Sequence, residues 1–518
     1  MKNTYVIGIE FGSTRVKAVL VDENAAVVAS GSYEWASRLI DGFWSYEQSE
    51  ILEGLQASYA ALARDYLEKK GTPLCEVSAI GISAMMHGYL AFDREENLLV
   101  PFRTWQNTNT GRAAAELSAA FSFNVPMRWS VSHFYEAVLS GEAHVKDVAY
   151  LNTLAGYVHW MLSGERVLGV GDASGMFPLE GGRYSPRMMK VMNEKLASHG
   201  VNVDFESLLP GILSAGDVAG RLTEAGAKLL DPTGTLKAGC LLCPPEGDAG
   251  TGMIATNSIR PRTANVSAGT SAFLMAVMEK DFSRPYEEID VVTTPVGDPV
   301  AMIHVGNFTP EFNGWVDLLG EAIALAGGQI SRGELFDRLY EISAKADEDV
   351  GGMVAYNFRV GEHIVGCESG APLLVRGREG VLNLANLMKA QIYSALGSLA
   401  IGMEILEKEK VALDSVMGHG GFFKAGAIPQ SAMSAAIGAP ISVMENAGEG
   451  GAWGIGLLAL MTALGEKDAG AFLNRIFGEA RCVTVSADEA EKKSFAAFME
   501  RYRRMLSVEK TAASMLNG

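Results

Sequence analysis

Two segments half a chain apart share one pattern: an apolar β-type run, a tight turn of glycine and hydroxyl residues, and a second apolar run. In the first, residues 5–10 and 18–22 read as strands around FGSTRVK, with Gly12, Ser13 and Thr14 in the turn. In the second, residues 264–267 and 272–277 flank Gly269, Thr270 and Ser271, so the turns GST and GTS are near copies. One such hairpin in each half predicts two structurally similar domains that present their turns to a shared cleft. The boundary falls near residue 257, after a helix that starts at Asp248, giving domains of residues 1–257 and 258–518. Each turn joins strand to strand, without GxxxxGKS/T or GxGxxG spacing, which disfavours a P-loop or Rossmann nucleotide site.

A length of 518 residues suits two large domains, each with its own core. With 48% hydrophobic and 20% charged residues, the chain is too apolar to be disordered. The net charge of −18 would repel a nucleic-acid backbone or an anionic membrane, and no Lys/Arg cluster overrides it locally, so neither partner is expected. No segment supplies the roughly 18 apolar residues of a membrane span. MKNTYVIGIEFGS lacks the apolar run and cleavage site of a leader, and a cytoplasmic location is expected. Five scattered cysteines suit a reducing compartment. Cys240 and Cys243 form a lone C-x-x-C; a zinc site would need two more ligands nearby, and the intervening Leu241 and Leu242 favour a buried strand. A homodimer is the general expectation for a soluble enzyme.

The hairpins bear on chemistry because phosphoryl transfer needs donors for phosphate oxygens, a held Mg2+ and a base aimed at the attacking hydroxyl. Gly12, Ser13 and Thr14 can offer backbone N–H groups and hydroxyls to a phosphate, and Arg15 or Lys17 could add positive charge. Glu10, ending the first strand, could hold Mg2+ through its waters. An ordinary hairpin with a charged shoulder explains one such segment; the second copy at residues 269–271 argues against that simpler reading. Elsewhere, residues 384–408, 448–463, 487–505 and 113–121 read as helices by their apolar spacing.

Four segments, in their order and spacing, carry a family resemblance: GIEFGSTRVKAVLVD; GISAMMHGYLAFD with PFRTWQNTNT; PPEGDAGTGM followed by VSAGTSAFL; and GHGGFFKAGAIPQSAMSAAIGAPI. Through them the chain resembles the FGGY carbohydrate kinases of the actin, hexokinase and Hsp70 superfamily. The resemblance implies an α/β fold of two ribonuclease H-like (actin-like ATPase) domains with a ligand cleft between them. It also implies Mg-ATP as donor and a small ketose, such as xylulose or ribulose, as acceptor. Asp248 is implied as the catalytic base, Met86 and His87 as the sugar-contacting pair, and Trp105 as an aromatic wall beside the sugar. GHGG, with Gly420 and Gly421, is implied as the adenosine-binding turn.

The residues themselves leave plainer readings open. EGDAGTG reads as a loop entering a helix, so Asp248 could be a simple N-cap, with the helix dipole depressing its pKa. A lone histidine is more often structural, and Trp105 could be core. The chain also departs from the family pattern: Glu10 stands where aspartate is usual, and Asn107 and Asn109 replace the acid and arginine of W-x-D-x-R. Asn107 then meets the substrate as an uncharged amide. His133 and Tyr135 replace a usual Lys/Trp pattern. The alternatives are a kinase for glycerol, gluconate or another polyol, and an actin-like ATPase without sugar chemistry.

Overall fold

A computed structural model describes residues 4–444, 450–478 and 481–517. Both hairpins form, each at the centre of its own sheet. Val6–Phe11 and Arg15–Val21 pair antiparallel, as do Thr263–Ala268 and Ala272–Val277. The second strand of the first hairpin begins three residues earlier than its apolar run suggests. The hydrogen bond from Gly12 N to Arg15 O closes a tight turn, after which Val16 and Ala18 face the core.

The two sheets share one strand order. In the first, Val27–Glu34, Arg15–Val21, Val6–Phe11, Ala79–Ala84 and Leu241–Leu242 lie side by side as 3-2-1-4-5 in chain order. In the second, Pro299–Val305, Ala272–Val277, Thr263–Ala268, Ser415–His419 and Ile441–Met444 repeat it, with Asp290–Thr293 and Cys482–Val485 added at the edges. In each sheet the first three strands are antiparallel and the fourth runs parallel to the first. A parallel neighbour requires a crossover. Helix Gln48–Lys70 serves in the first half, held by a Glu47/Glu50 capping box and ended by left-handed Gly71. The predicted strand around Cys240 and Cys243 is Leu241–Leu242; Cys243 is fully buried, and among the described residues no cluster of three His, Cys, Asp or Glu could hold a metal.

Helix Leu384–Lys408 has the predicted bounds, and its buried residues recur along most of its length. Gly111–Phe121 starts two residues before the predicted 113. The C-terminal helix, Glu489–Asn517, runs well past residue 505, because Glu509 and Ala513 remain buried on the same face. The predicted helix at 448–463 is Gly450–Leu464; its first two predicted residues lie outside the described ones. No described helix is long and apolar enough to cross a membrane.

Gly450–Leu464 belongs to the second half of the chain but lies on the sheet of the first. A Cβ on Gly8 would sit 2.1 Å from the Ala452 carbonyl oxygen and 2.6 Å from Gly456 N, so helix and strand meet backbone to backbone. Helix Asp248–Ala255 packs beside it equally closely, a Cβ on Gly454 falling 2.1 Å from the Thr251 carbonyl oxygen. Neither contact can relax by a rotamer change, since the obstructing atoms are backbone. Gly8→Ala should therefore cost about 1–3 kcal/mol and lower the thermal midpoint by several degrees. Gly377→Ala, where a Cβ meets nothing, should stay within about 0.5 kcal/mol of the parent. Equal midpoints for the two variants would contradict the close packing.

Candidate active site

Between the two halves lies a cavity of about 1270 Å³, and both hairpin turns open onto it: Ser13 from the first, Thr270 and Ser271 from the second. Glu10, Met86, His87, Trp105 and Asp248 share the same lining. The turns are held by their surroundings. Trp35 Nε1 donates to the Gly12 carbonyl (2.7 Å), Tyr46 Oη to the Ser13 carbonyl (2.6 Å), and Trp105 Nε1 to Ser13 Oγ (3.3 Å). In the second turn, Thr309 Oγ1 donates to the Gly269 carbonyl (2.7 Å) and Gly269 N to Ser271 O (2.9 Å).

Other expected residues lie off the lining. Thr14 is exposed, and its carbonyl accepts from Trp35 N. Arg15 points to solvent and pairs with Glu34 (2.7 Å). Lys17 sits opposite Glu10 in the strand ladder, where its charge favours ionised Glu10. Gly420 does not line the cavity: at φ +106° it lets the chain cross the second hairpin, where a Cβ would come 2.4 Å from the Ala268 carbonyl oxygen. Gly421 has open space above it, and neighbouring His419 lines the cavity. Asn107 corrects the expectation of a substrate contact. Its amide is buried, Oδ1 accepting from Trp44 N (2.8 Å) and Nδ2 donating to the carbonyls of Trp44 and Thr104 (both 2.9 Å). An asparagine can serve a backbone donor and acceptor at once, which leaves little for a ligand.

Asp248 is the first residue of helix Asp248–Ala255, after Gly247. Its Oδ1 accepts from Ala249 N (2.9 Å) and from Met86 N (3.2 Å), so the helix start and the end of strand Ala79–Ala84 fix the carboxylate together. Gly247 makes this possible, since a Cβ there would lie 2.0 Å from Met86 Cγ. The sequence reading expects the helix terminus to depress the Asp248 pKa; the structure reverses the sign. Asp248 is open to the cavity but enclosed by protein on its other sides, and this desolvation raises its carboxyl against the two N–H donors that favour the charge.

Three more carboxyls behave alike. Burial, then the charge of Asp248, raises Glu10 to about 7 although Ala452 N donates to its Oε2 (3.1 Å). The extra methylene relative to aspartate is accommodated by Gly451, where a Cβ would lie 2.0 Å from Oε1. Asp172 and Glu246 were missed by the sequence reading. Glu246 accepts from Gly171 N (3.2 Å) and Asp172 N (2.9 Å), and burial, then Asp172, raises it to about 8. Asp172 accepts from the Thr153 hydroxyl (2.6 Å), while its buried Oδ1 has no partner among the described residues; burial raises it to about 7. An acceptor without a donor in a buried site is best satisfied by a proton of its own.

His87 and Gly88 both adopt left-handed backbone (φ +70° and +87°), a strain of about 1–3 kcal/mol for a non-glycine residue. The Ser130 hydroxyl holds the loop through the Gly88 carbonyl (2.6 Å), and Gly88 N donates to Arg128 O (3.1 Å). His87 Nδ1 lies 3.3 Å from the Gly175 carbonyl, which can only accept, so Nδ1 carries the proton and Nε2 is left as an acceptor. Arg128, Phe273 and His304 also line the cavity. Phe273 could have been read from its place in AFLMAV directly after GTS; Arg128, in an irregular loop, gave no signal. Of the two expected replacements in WSVSHFYEAV, His133 and Tyr135 are buried and off the lining.

These environments fix a pH dependence. A carboxyl whose folded pKa exceeds its unfolded value binds its proton more tightly when folded; the stability this gives is complete below the unfolded pKa and lost as pH rises through the folded one. Buried histidines act at lower pH: burial lowers His133 and His304 to about 3 and His159 to about 4, so their effect is felt below about 6.5. Between about pH 6.5 and 8.5 the thermal midpoint should therefore fall. Asp172→Asn, which can place an N–H where Oδ1 lacks a partner, should flatten that fall. A midpoint that rises over this window, or an unchanged slope in the variant, would refute the assignment.

Two family models match the chain: the N-terminal domain of the FGGY family of carbohydrate kinases over residues 5–238 and its C-terminal domain over residues 264–463. A xylulose kinase of Klebsiella pneumoniae is 27% identical over 291 residues, 54% of this chain and 56% of that protein. The matched stretch thus spans about half the length of that curated relative. Among solved structures, a gluconate kinase from Lactobacillus acidophilus is similar with a TM-score of 0.81 at 16% identity over 100% of both chains. A ligand-bound xylulose kinase from Lactobacillus acidophilus gives 0.80 at 16% identity, over 99% of this chain and 100% of that one. Such likeness establishes the fold, two actin-like ATPase domains around a cleft. With both domain models matched in order along most of its length, the chain belongs to the FGGY family of carbohydrate kinases.

Proposed function

We propose that the protein transfers the γ-phosphoryl group of ATP to a hydroxyl of a small polyhydroxylated acceptor of pentulose size, the class named by its xylulose kinase relatives. The observation that carries this reading is the meeting of both hydroxyl-bearing turns and the Asp248 carboxylate in one cavity. Residues 1–257 act as the acceptor and base domain, and residues 258–518 as the domain of the second phosphate turn and the adenosine-binding turn at Gly420 and Gly421. The backbone N–H groups and hydroxyls of Ser13, Thr270 and Ser271, the turn residues that line the cavity, receive the phosphate oxygens.

Asp248 accepts the proton of the attacking hydroxyl. The hydroxyl oxygen bonds to the γ-phosphorus, the bond from that phosphorus to the β–γ bridging oxygen breaks, and ADP leaves. A carboxyl raised by desolvation suits this base, since the raised pKa gives it greater proton affinity. His87 Nε2 accepts from a second hydroxyl, and Met86 and Trp105 wall the carbon chain. The cavity also fits Mg2+, which takes one or two carboxylates, waters and phosphate oxygens rather than a full protein cage. Glu10 is the candidate to hold it through water, and when bound it would offset phosphate charge.

An ATPase that ignores sugars is the competing class, and one assay separates the two. ADP release with Mg-ATP should rise with one class of ketose, polyol or sugar acid. Asp248→Asn should lower that increment by about 10²–10⁴-fold with nucleotide affinity within about twofold of the parent. ADP release that no acceptor changes would end the kinase reading. Because excluding water protects the phosphoryl group from hydrolysis, ATP and acceptor together should also close the cleft. Small-angle scattering should show a smaller radius of gyration with both ligands than with neither; an unchanged radius would count against closure.

A further inference from the structure

Resting on the kinase reading, the geometry points to an anion-binding subsite at the acceptor end of the cavity, in which Arg128 receives the carboxylate of a small sugar acid while a distal hydroxyl faces Asp248. Among the described residues, the charged side chains lining the cavity are Glu10, Asp248, Arg128 and Arg481. Arg481 directly precedes the strand that pairs with Ile441–Met444 and lies toward the adenosine-binding turn. Arg128 is tied instead to the acceptor loop, its carbonyl accepting from Gly88 N (3.1 Å), immediately after His87.

The guanidinium is anchored but not used up. Arg128 Nη2 pairs with Asp290 across the two halves, and Asn124 Nδ2 donates to the other oxygen of the same carboxylate (3.1 Å). Asp290 thus divides its charge between two donors, while Nε and Nη1 of Arg128 have no partner among the described residues. A planar guanidinium fixed at one corner, on a residue that lines the cavity, can offer its remaining donors to the two oxygens of a carboxylate. The two histidines beside it add no charge of their own. His87 is held neutral by burial and by the Arg128 charge, and the same two causes lower His304 to about 3. Asn107, uncharged and turned into the backbone, adds no carboxylate that would repel an acid.

A neutral sugar gives such an edge only hydroxyls, for which an uncharged amide would serve as well; desolvating a cation is better compensated by an anion. The substrate carboxylate takes no part in bond making. The transferred phosphoryl still comes from ATP, the hydroxyl proton still passes to Asp248, and ADP still leaves.

The test compares matched acceptors that differ only at the terminal carbon, such as gluconate with sorbitol and xylonate with xylitol, in ADP release by the full-length wild type. The acid of each pair should show at least about tenfold higher kcat/KM. Arg128→Gln should lower kcat/KM for the acid by about ten- to a hundredfold, collapsing the acid-to-neutral ratio toward one, and Arg128→Lys should restore part of that ratio. A wild type that turns over a neutral acceptor as well as its matched acid overturns the subsite while leaving the kinase reading intact. So does an Arg128→Gln variant that loses both in proportion. ADP release that neither partner of any pair nor any ketose raises overturns both readings. If Arg128→Gln does not fold, the wild-type comparison still decides.

Discussion

The cleft depends on one backbone contact, that of helix Gly450–Leu464 on the strand of Gly8. This helix comes from the distal part of the chain, yet its first turn supplies the N–H that receives Glu10 and the bare Cα of Gly451 that leaves room for it. It also presses against Thr251 of the helix that begins with Asp248. The two carboxylates facing the cavity therefore both stand beside this helix, where Gly8 and Gly454 bring backbone against backbone. Close-packed backbone has few alternative positions, which is what a site with tolerances of a fraction of an ångström requires.

Electrostatically the same region gathers four acids, of which Glu10 is eased toward its charged form by Lys17. Asp172, Glu246, Asp248 and Glu10 all have raised pKa values, in each case first because water is excluded. Charge repulsion adds to this at Glu10, Asp172 and Glu246. Exclusion of water thus favours the protonated form of each. The stability given up at higher pH is the cost of burying these carboxyls away from water.

Much of this was legible in the residues. The hairpins were visible because strand alternation and glycine–hydroxyl turns are local signals, and their repetition half a chain apart exposed the two-domain plan. Asp248, Met86 and His87, picked out by motif order, all reach the cavity lining. What escaped was non-local. Glu246 and Asp172 lie far apart in sequence and meet only because the strand at Glu246–Gly247 pairs with Ala79–Ala84 and drops its side chain onto the start of helix Val170–Ser174. Asn107 was misread for a related reason: its partner Trp44 lies on a remote short strand that no spacing rule connects to it. The expected depression of the Asp248 pKa failed because a helix terminus can be read from sequence and desolvation cannot.

The indole of Trp105 gives its single N–H to the hydroxyl of Ser13. A residue expected to flank the carbon chain of one ligand is thereby tethered to the turn expected to cradle the phosphates of the other. Neither ligand can shift its own wall without tugging on its neighbour's. With both ligands bound as proposed, occupancy of the two halves of the cavity would be linked thermodynamically, and by reciprocity the help that the first guest gives the second would equal the help it receives in return.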